Sequence, residues 1–412
     1  MTSLRALRFA WLTIVRQPAR SVLGILGVAA VGALLFDMLL LSRGLVLSFR
    51  TLLDTGGFDA RVLATDMVPF SGPRLDHASA LAAAIAALPE VAAVQQVRTV
   101  RATAGDRDVV RGADVDDEGG DNGEIEIVGT DVRARSFWTM AEGRDVAENP
   151  ATGLVINQHL AEALGARPGS TVTLRGRCGD AASMPPPVAF VVTGIATFPF
   201  DTPGEDTAGT SIASAARLCG ERDTDQADML LVRSRDGVGA EAAAAAIHAR
   251  RPDLHVVTNA EIVDQFSRLQ FSYFRQISSV LATVTLFFGF LLVAVLLTVS
   301  VNQHLGEIAT LRAIGLTRGR VVAGIFWESI VMVGTGGVFA VPIGFVVAAW
   351  LDRILRRLPG IPTGLHFFVF EPRALALYVV LLSAAALAAA AYPMRIVAGL
   401  PIAGTLRQEV VS

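Results

Sequence analysis

A short charged segment lies between two of the most apolar stretches of the chain. Residues 306–321 read GEIATLRAIGLTRGRV and contain one carboxylate and three arginines. On a helix, side chains four residues apart share a face, and a glycine can end the helix in the left-handed conformation. The segment therefore predicts a short helix with an apolar ridge beside charged groups. Its marked residues are Glu307, Ile308, Leu311, Arg312 and Gly315.

The arginines of this segment have a simple interpretation. Arginines close to membrane helices tend to stay on the cytoplasmic side, so the segment can be an ordinary loop that fixes the orientation of the chain. The residue types alone favour the orienting loop.

Composition excludes several kinds of chemistry. The 35 basic residues are all arginines, so the chain lacks the lysine that a Walker A phosphate loop or a Schiff-base enzyme requires. The six histidines do not have the spacing of a transition-metal site, and a net charge of -3 argues against nucleic acid as a partner. We predict no catalytic, cofactor-binding or metal-binding residues.

The apolar residues indicate a membrane protein. Hydrophobic residues make up 52% of the chain and charged residues only 18%. A bilayer-spanning helix needs about 20 apolar residues, which four runs provide: 21–41, 277–301, 321–350 and 375–391. A signal peptide is the competing interpretation of the first run, but the run is too long and no cleavage site follows it. We predict an α-helical membrane protein with four transmembrane helices and a large extracytoplasmic α+β domain inserted between helices 1 and 2.

Arginines near the helix ends predict the orientation. Three groups of them would lie together in the cytoplasm, whereas the loop between the third and fourth helices carries four that would lie outside. The cytoplasmic groups are Arg5, Arg8, Arg16 and Arg20; Arg312, Arg318 and Arg320; and Arg395 and Arg407; the outer exceptions are Arg353, Arg356, Arg357 and Arg373. The predicted segments are a cytoplasmic flank (1–20), helix 1 with the start of a stalk (21–47), the outer domain (48–275), helix 2 (276–302), a cytoplasmic segment (303–320), helix 3 (321–350), an outer loop (351–373), helix 4 (374–393) and a cytoplasmic tail (394–412).

The outer block has the alternation of a folded α+β domain. Alternating apolar residues predict strands at 59–64, 91–103, 124–129, 171–175, 188–195 and 229–233, and helices are predicted at 76–88, 157–164 and 239–250. Residues 80–95 and 242–257 repeat one pattern, an alanine-rich helix, a proline and a strand. This repeat predicts two β-α-β units that flank an insertion, on a split ferredoxin-like plan.

Two amphipathic stripes join the outer domain to the membrane. One follows the first membrane helix, and the other precedes the second, at helical spacing. We interpret them as an antiparallel stalk that carries motion outward; the alternative is that each packs independently against the domain. The stripes are Leu45, Phe49 and Leu52, and Ile262, Phe266, Leu269 and Tyr273.

Several single residues stand out. Asp37 and Glu328 lie within membrane helices, where a charge is costly. We interpret Asp37 as facing the bundle or pairing locally, and Glu328 as a structural or coupling contact, before any substrate or proton path. The outer-domain cysteines Cys178 and Cys219 can form a disulfide or remain two separate thiols. Glycines of the third membrane helix predict close helix packing. These are Gly334, Gly337 and Gly344.

The whole arrangement resembles the FtsX-like, MacB-type ABC transporter permease family. The likeness rests on one helix, a large outer domain and three further helices, with GEIATLRAIGLTRGRV, WESIVMVGTGGVFAVPIG and AYPMRIVAGLPIAGTLRQE in order. It implies that residues 303–320 hold a coupling helix that docks into a separate ABC ATPase subunit. It also implies that ATP and Mg bind to that partner, and that the chain pairs as a homodimer or as a heterodimer with a similar permease.

The resemblance implies a transport function. We expect a permease subunit of the bacterial inner or cytoplasmic membrane, whose ATPase partner moves the outer domain and so drives export or extraction of an amphipathic or hydrophobic substrate. A periplasmic adaptor protein and membrane lipid are further expected partners. The alternative is a transmembrane signal transducer that activates a cell-wall hydrolase, although the large outer domain favours export. A membrane enzyme is disfavoured, because the sequence has no triad, metal cluster or paired carboxylates.

Overall fold

In a computed structural model of the chain, the structure describes residues 18–66, 72–105, 123–131, 138–146, 151–178, 185–221, 225–269, 271–303, 318–358 and 360–399. Of these, the residues within Met1–Leu47, Gln270–Ile354 and His366–Ser412 form one compact unit, which we call the membrane unit. Those within Ser48–Leu269 and Leu355–Leu365 form a second, the outer unit.

The strands all lie between the first helix and the last four, in groups of one to four that single helices separate. The first half comprises α1 (Pro18–Thr55), β1 (Ala60–Leu63), β2 (Leu75–Asp76), α2 (Ala78–Ala86), β3 (Val91–Ala104), β4 (Glu124–Thr130), β5 (Thr139–Gly143), β6 (Gly153–Ile156), α3 (Gln158–Leu164) and β7 (Thr171–Gly176). The second half comprises β8 (Val188–Thr197), β9 (Asp206–Ser211), α4 (Ile212–Leu218), β10 (Gln226–Ala227), β11 (Met229–Ser234), α5 (Ala240–Arg250), β12 (His255–Thr258), α6 (Asn259–Leu269), α7 (Phe271–Gln303), α8 (Arg318–Leu355) and α9 (Pro372–Gly399).

Four of the described helices are long and apolar enough to cross a membrane, which confirms the predicted number of spans. They contain the stretches Ser21–Thr55, Arg275–Val299, Ser329–Leu355 and Pro372–Ala391. The large α/β region lies between the first and second of them in the chain. The first helix continues beyond the apolar run to Thr55, as the stripe of Leu45, Phe49 and Leu52 predicts.

The helices of the membrane unit approach closely at glycines. A Cβ atom added at Gly336 would lie 2.7 Å from the Val28 Cβ of α1, and one added at Gly344 would lie 3.0 Å from the ring of Phe36. At Gly337 the added atom would meet Leu382 of α9. The prediction of close packing is therefore confirmed for Gly337 and Gly344. It is wrong for Gly334, because no atom of the described residues lies within 4 Å of the added position.

One part of the outer unit is a four-stranded sheet in the order β12-β1-β11-β3, with every neighbouring pair antiparallel. The first β-α-β unit supplies β1, α2 and β3, and the second supplies β11, α5 and β12. Each unit places a strand of the other between its own two strands, as a split ferredoxin-like sheet does. Leu81, Ile85 and Ile247 of the two helices are buried against the sheet. The predicted plan is therefore confirmed.

The insertion between these units closes on itself. Its strands extend the sheet from β3 in the order β3-β4-β9-β6-β8, and β7 pairs with both β8 and β3. Strand β3 and five strands of the insertion thus form a complete ring. Inside lies an apolar core that includes Ile127, Ile156, Leu174 and Phe190, with Leu160 of α3 packed against it. Closure leaves these strands without free edges, and it explains why short strands can be stable here.

Candidate functional site at the base of the stalk

Two helices of the stalk meet within the outer unit. The last turns of α1 and the whole of α6 belong to this unit, although more than 200 residues separate them along the chain. The ring centroids of Phe49 on α1 and Phe266 on α6 lie 4.9 Å apart, with the ring planes at 45°. We call the residues 48–55 and 259–269 the stalk base. Its helices are in direct contact, as the two sequence stripes predict.

Helix α6 begins with a reciprocal pair of hydrogen bonds. The backbone N–H of Glu261 donates to the Thr258 hydroxyl at 3.2 Å, and the N–H of Thr258 donates to the Glu261 carboxylate at 2.8 Å. This capping box satisfies two backbone donors that the helix itself leaves without a partner. The start of α6 is thus fixed at the end of strand β12.

A buried amide joins the stalk base to the sheet. The side-chain nitrogen of Asn259 donates to Asp54 Oδ1 at 2.8 Å and to the carbonyl of Phe58 at 2.9 Å. Its side-chain oxygen accepts a hydrogen bond from Arg61 of β1. One side chain therefore connects the end of α1, the loop that follows it, the start of α6 and the first strand.

Electrostatics make this junction costly to open. Arg61 is only 8% exposed, and burial lowers the pKa of its guanidinium to about 10, an effect that the Asp54 charge opposes. A buried charge that loses its partners carries a large desolvation penalty. The neighbouring Asp59 accepts hydrogen bonds from the backbone N–H and the hydroxyl of Ser234, which extends the connection to β11.

The connection between α8 and α9 also touches this region. Residues 355–365 belong to the outer unit, where the backbone N–H of Thr363 donates to the carbonyl of Asp201 at 2.8 Å. A Cβ atom added at Gly364 would lie 2.8 Å from the Leu52 Cδ1 atom, so the loop backbone lies close to this stalk residue. The loop after the third membrane helix therefore packs on the stalk base, which the sequence did not indicate.

The predicted stalk residues have different environments. Leu45 and Leu52 are buried, and Ile262, Phe49 and Phe266 are half-buried. The side chain of Leu269 lies outside the described residues. Tyr273 departs from the prediction: it is 70% exposed, because no described element covers that face of α7. Val263, which lies outside the predicted stripe, is buried instead.

The other residues that the sequence singled out are not part of the described stalk base. Glu307, Ile308, Leu311, Arg312 and Gly315 fall outside the described residues, as does the side chain of Glu328. Cys178 and Cys219 are joined by a disulfide with their Cα atoms 5.3 Å apart. Asp37 is 1% exposed in the membrane unit, and neither carboxylate oxygen has a hydrogen-bond partner in the described part of the chain. Within the same ranges no group of three or more acidic, histidine or cysteine side chains is placed to hold a metal ion.

Three residues of the junction were missed from the sequence: Asp54, Arg61 and Asn259. The sequence contains one signal near this junction. The segment TNAE places a glutamate three residues after a threonine, a capping-box pattern that predicts the start of α6. The partners of Asn259 are distant in the sequence, and a polar residue beside a strand is by itself unremarkable in a single sequence.

The fold defines a class of multi-pass membrane protein. Its chain carries one large α/β domain between the first and second membrane-spanning helices, so the helices are linked to an outer domain. Comparison with known families agrees. The chain matches the MacB-like periplasmic core domain over residues 21–250 and the FtsX-like permease C-terminal domain over residues 279–402. The chain belongs to the FtsX/MacB-type family of ABC transporter permeases, and it is a multi-pass protein of the bacterial inner membrane.

Two solved structures are similar to part of the chain. The periplasmic region of MacB from Actinobacillus actinomycetemcomitans is 10% identical, with a TM-score of 0.35, and the match covers 52% of this chain and 94% of that one. The extracellular domain of the noncanonic ABC-type transporter YknZ from Gram-positive bacteria is 13% identical, with a TM-score of 0.31, and the match covers 48% of this chain and 98% of that one. No curated protein matches the chain. Family membership implies an ABC ATPase as partner.

Proposed function

We propose that the chain is the permease subunit of an ABC transporter in which a separate ATPase subunit binds ATP and Mg. Hydrolysis moves the outer domain and drives export or extraction of an amphipathic or hydrophobic substrate from the outer side of the membrane. Force passes through the stalk, and the substrate does not pass between the helices. Two such chains act together, as a homodimer or with a similar permease, and a periplasmic adaptor protein can complete the assembly.

The observation that carries this proposal is the junction at Asn259. A moving helix can displace a domain only if the contact between them does not yield. The amide holds Asp54, Phe58 and Arg61 at once, and the Phe49 and Phe266 rings join the two helices beside it. Both stalk helices therefore enter the outer domain as one connected element, which suits transmission of movement.

The input of this movement is assigned to residues 303–320. Glu307 and Arg312 supply charges, Ile308 and Leu311 an apolar ridge, and Gly315 the end of a short helix that docks into the ATPase. The segment connects α7, which follows the stalk base in the chain, to α8. A push on it would reach the stalk through α7.

The test is purification of the tagged chain from its native host in mild detergent, with mass spectrometry of the proteins that co-purify. We expect an ABC ATPase at equal stoichiometry, lost when Glu307 and Arg312 are both changed to alanine. The matched control changes Glu241 and Arg250, an exposed pair on α5, and keeps the ATPase.

Hydrogen exchange of the purified complex tests the movement itself. We expect ATP with vanadate to change exchange in residues 48–66 and 255–269, and the Glu307→Ala/Arg312→Ala chain to show no change. An ATPase that binds while exchange in both segments stays the same with and without nucleotide would contradict force transmission. Absence of any ATPase from the unmutated chain in several detergents would contradict the permease assignment.

A further inference from the structure

Exposed arginines mark the ends of the membrane helices on the side where α1 continues into the outer unit. Arg43 lies near this end of α1, Arg275 in the first turns of α7, Arg353 near the end of α8 and Arg373 at the start of α9. All four side chains are exposed. Positive residues usually gather at the opposite, cytoplasmic side of a membrane protein. Four exposed arginines on the outer side are therefore unusual, and something must stabilise their charge there.

Arg43 and Arg353 lie at a similar height along the axes of the membrane helices. Helix α8 runs parallel to α1, since Ala340 packs beside Gly32 and Gly344 beside Phe36. Continued along both helices, this register places Arg43 opposite residue 351. Arg353 is therefore within one helical turn of the level of Arg43.

The other two arginines reach the same level from the antiparallel helices. Arg43 itself donates a hydrogen bond to Glu371 at 3.4 Å, which sets the start of α9, and with it Arg373, beside the end of α1. In α7, Gly289 packs against Val31, and the antiparallel register carries Arg275 to the level of residue 45. One layer across the bundle thus contains an arginine from each helix.

The carboxylates of this layer do not neutralise it. Glu371 pairs with Arg43. Asp352 is buried, and its oxygens accept the backbone N–H of Phe367 at 2.8 Å and lie 3.0 Å from His366 Nδ1. Across the described ranges, Arg275, Arg353 and Arg373 have no carboxylate within 4.0 Å. Within the described part of the chain, three exposed cations at a similar level therefore have no carboxylate partner.

Two aromatic side chains identify where this layer lies in the bilayer. Trp350, one turn before Arg353, is 58% exposed, and Tyr273, two residues before Arg275, is also exposed. Tryptophan and tyrosine concentrate at the headgroup level of membranes, where the ring is in the apolar region and the polar atom in water. The arginines beside them therefore lie at the depth of the lipid phosphates.

We propose that Arg275, Arg353 and Arg373 form a binding surface for the phosphate groups of anionic phospholipids in the outer leaflet. A guanidinium offers two parallel N–H donors to a phosphate, and its weak hydration suits an interface. The surface goes beyond the transport function, because it needs neither the ATPase nor a substrate. Anionic lipids bound here would anchor the outer ends of the membrane helices. Their phosphates would also neutralise arginines that the positive-inside rule disfavours on this side.

Trp350 is a natural probe of this surface. The full chain, with Trp11 and Trp327 changed to phenylalanine, is placed in phosphatidylcholine vesicles that contain phosphatidylglycerol or phosphatidylcholine brominated on the acyl chain. Bromine quenches only tryptophan that it touches, so Trp138 of the outer unit serves as the unquenched reference. We expect brominated phosphatidylglycerol to quench Trp350 more strongly at equal mole fraction, with a relative association constant higher by about fivefold for each arginine engaged.

Variants decide whether the arginines are responsible. The triple change R275Q/R353Q/R373Q is expected to bring the two lipids to equal quenching, and high salt should weaken the preference of the unmutated chain. The control R167Q/R233Q/R250Q removes three exposed arginines of the outer unit and should keep the preference. Equal quenching in the unmutated chain, or an undiminished preference in the first triple variant, would overturn the proposal. Neither result depends on whether an ATPase binds.

Discussion

The side-chain nitrogen of Asn259 lies 2.8 Å from Oδ1 of Asp54 and joins the two helices of the stalk base at the point where both enter the outer domain. The same amide also contacts the carbonyl of Phe58 and the guanidinium of Arg61. The nitrogen thus holds the end of α1 and the loop that follows it, and the oxygen holds strand β1. A change at this one position affects all of them together.

Replacing Asn259 with alanine should destabilise the outer domain by about 3 kcal/mol, since it leaves a buried carbonyl and a buried guanidinium without their partner. The measurement is chemical denaturation of the full chain in detergent, followed by Trp138 fluorescence with the other tryptophans changed to phenylalanine. Gln158→Ala, which removes an exposed amide on α3, is the control and should change the free energy of unfolding by less than about 0.5 kcal/mol. Equal effects of the two changes would show that the junction carries no special stability.

The aromatic contact of the stalk base predicts a coupling energy. In a double-mutant cycle of Phe49→Leu and Phe266→Leu, we expect about 0.5 to 1.5 kcal/mol of interaction beyond the sum of the single effects, because the rings are in direct contact. The cycle uses the same denaturation measurement. Strictly additive changes would mean that the two helices pack independently, as the alternative interpretation of the stripes states.

The disulfide between Cys178 and Cys219 predicts a redox effect on stability. The bond closes a loop with a sequence separation of 41, for which the chain-entropy model gives about 4 kcal/mol. Changing both cysteines to serine should lower the free energy of unfolding by up to this amount, and a strong reductant should have the same effect on the unmutated chain only. If the reductant also destabilised the double-serine chain, its action would not involve this bond.

Much of the outer domain could be predicted because its strands alternate. Strands β1, β3, β4, β7, β8 and β11 begin and end within two residues of the predicted limits. Strand β9 was missed because its sequence, DTAGTS, is polar, yet all its residues are buried between β4 and β6. Alternation detects a strand that has one apolar and one polar face. Strand β9 lacks such an alternation, because both of its faces carry polar residues that are buried inside the closed ring.

The candidate site was predicted only in part for a similar reason. The stripes around Phe49 and Phe266 are periodic within each helix, so they are visible locally. The hydrogen bonds of Asn259 and the packing of Gly364 on Leu52 join segments that are far apart in the chain. No local pattern specifies such a contact, and it can be found only from the folded structure.

Asp201 predicts a pH-dependent change in stability. Burial raises the pKa of its carboxyl, although hydrogen bonds from Thr207 and Asn157 oppose the rise. The folded state then holds this proton more tightly than the unfolded state, so stability falls as pH rises from the usual value of 3.8 through the folded pKa. Asp201→Asn should therefore be more stable than the unmutated chain at neutral pH, and the difference should disappear below pH 3.8.

The control for this pH effect has the opposite sign. A hydrogen bond from Arg251 lowers the pKa of Asp253, so its contribution is present at neutral pH and is lost as pH falls through the lowered folded value. Asp253→Asn should be slightly less stable at neutral pH, with the difference closing in acid. Thermal unfolding of both variants in detergent across this pH range makes the measurement, and parallel curves for the two would contradict the assignment to Asp201.

The packing of α1 on α8 can be tested with two glycines of one helix. A methyl group at Gly336 would lie 2.7 Å from Val28 Cβ and 3.0 Å from the backbone oxygen of Ile25, so the helices must separate to admit it. At Gly334 nothing lies within 4 Å. Gly336→Ala should therefore destabilise the membrane unit by about 1 to 3 kcal/mol, the usual cost of overpacking.

Gly334→Ala should instead be neutral or stabilising by up to about 1 kcal/mol, because alanine is the better helix former. Heating each chain in mild detergent and measuring the folded fraction by size-exclusion chromatography separates the two. This pair matters for force transmission, because α1 carries the stalk and α8 follows the segment assigned to ATPase docking. If Gly336→Ala retained full thermal stability, the close approach of α1 and α8 at this glycine would not contribute to the stability of the membrane unit.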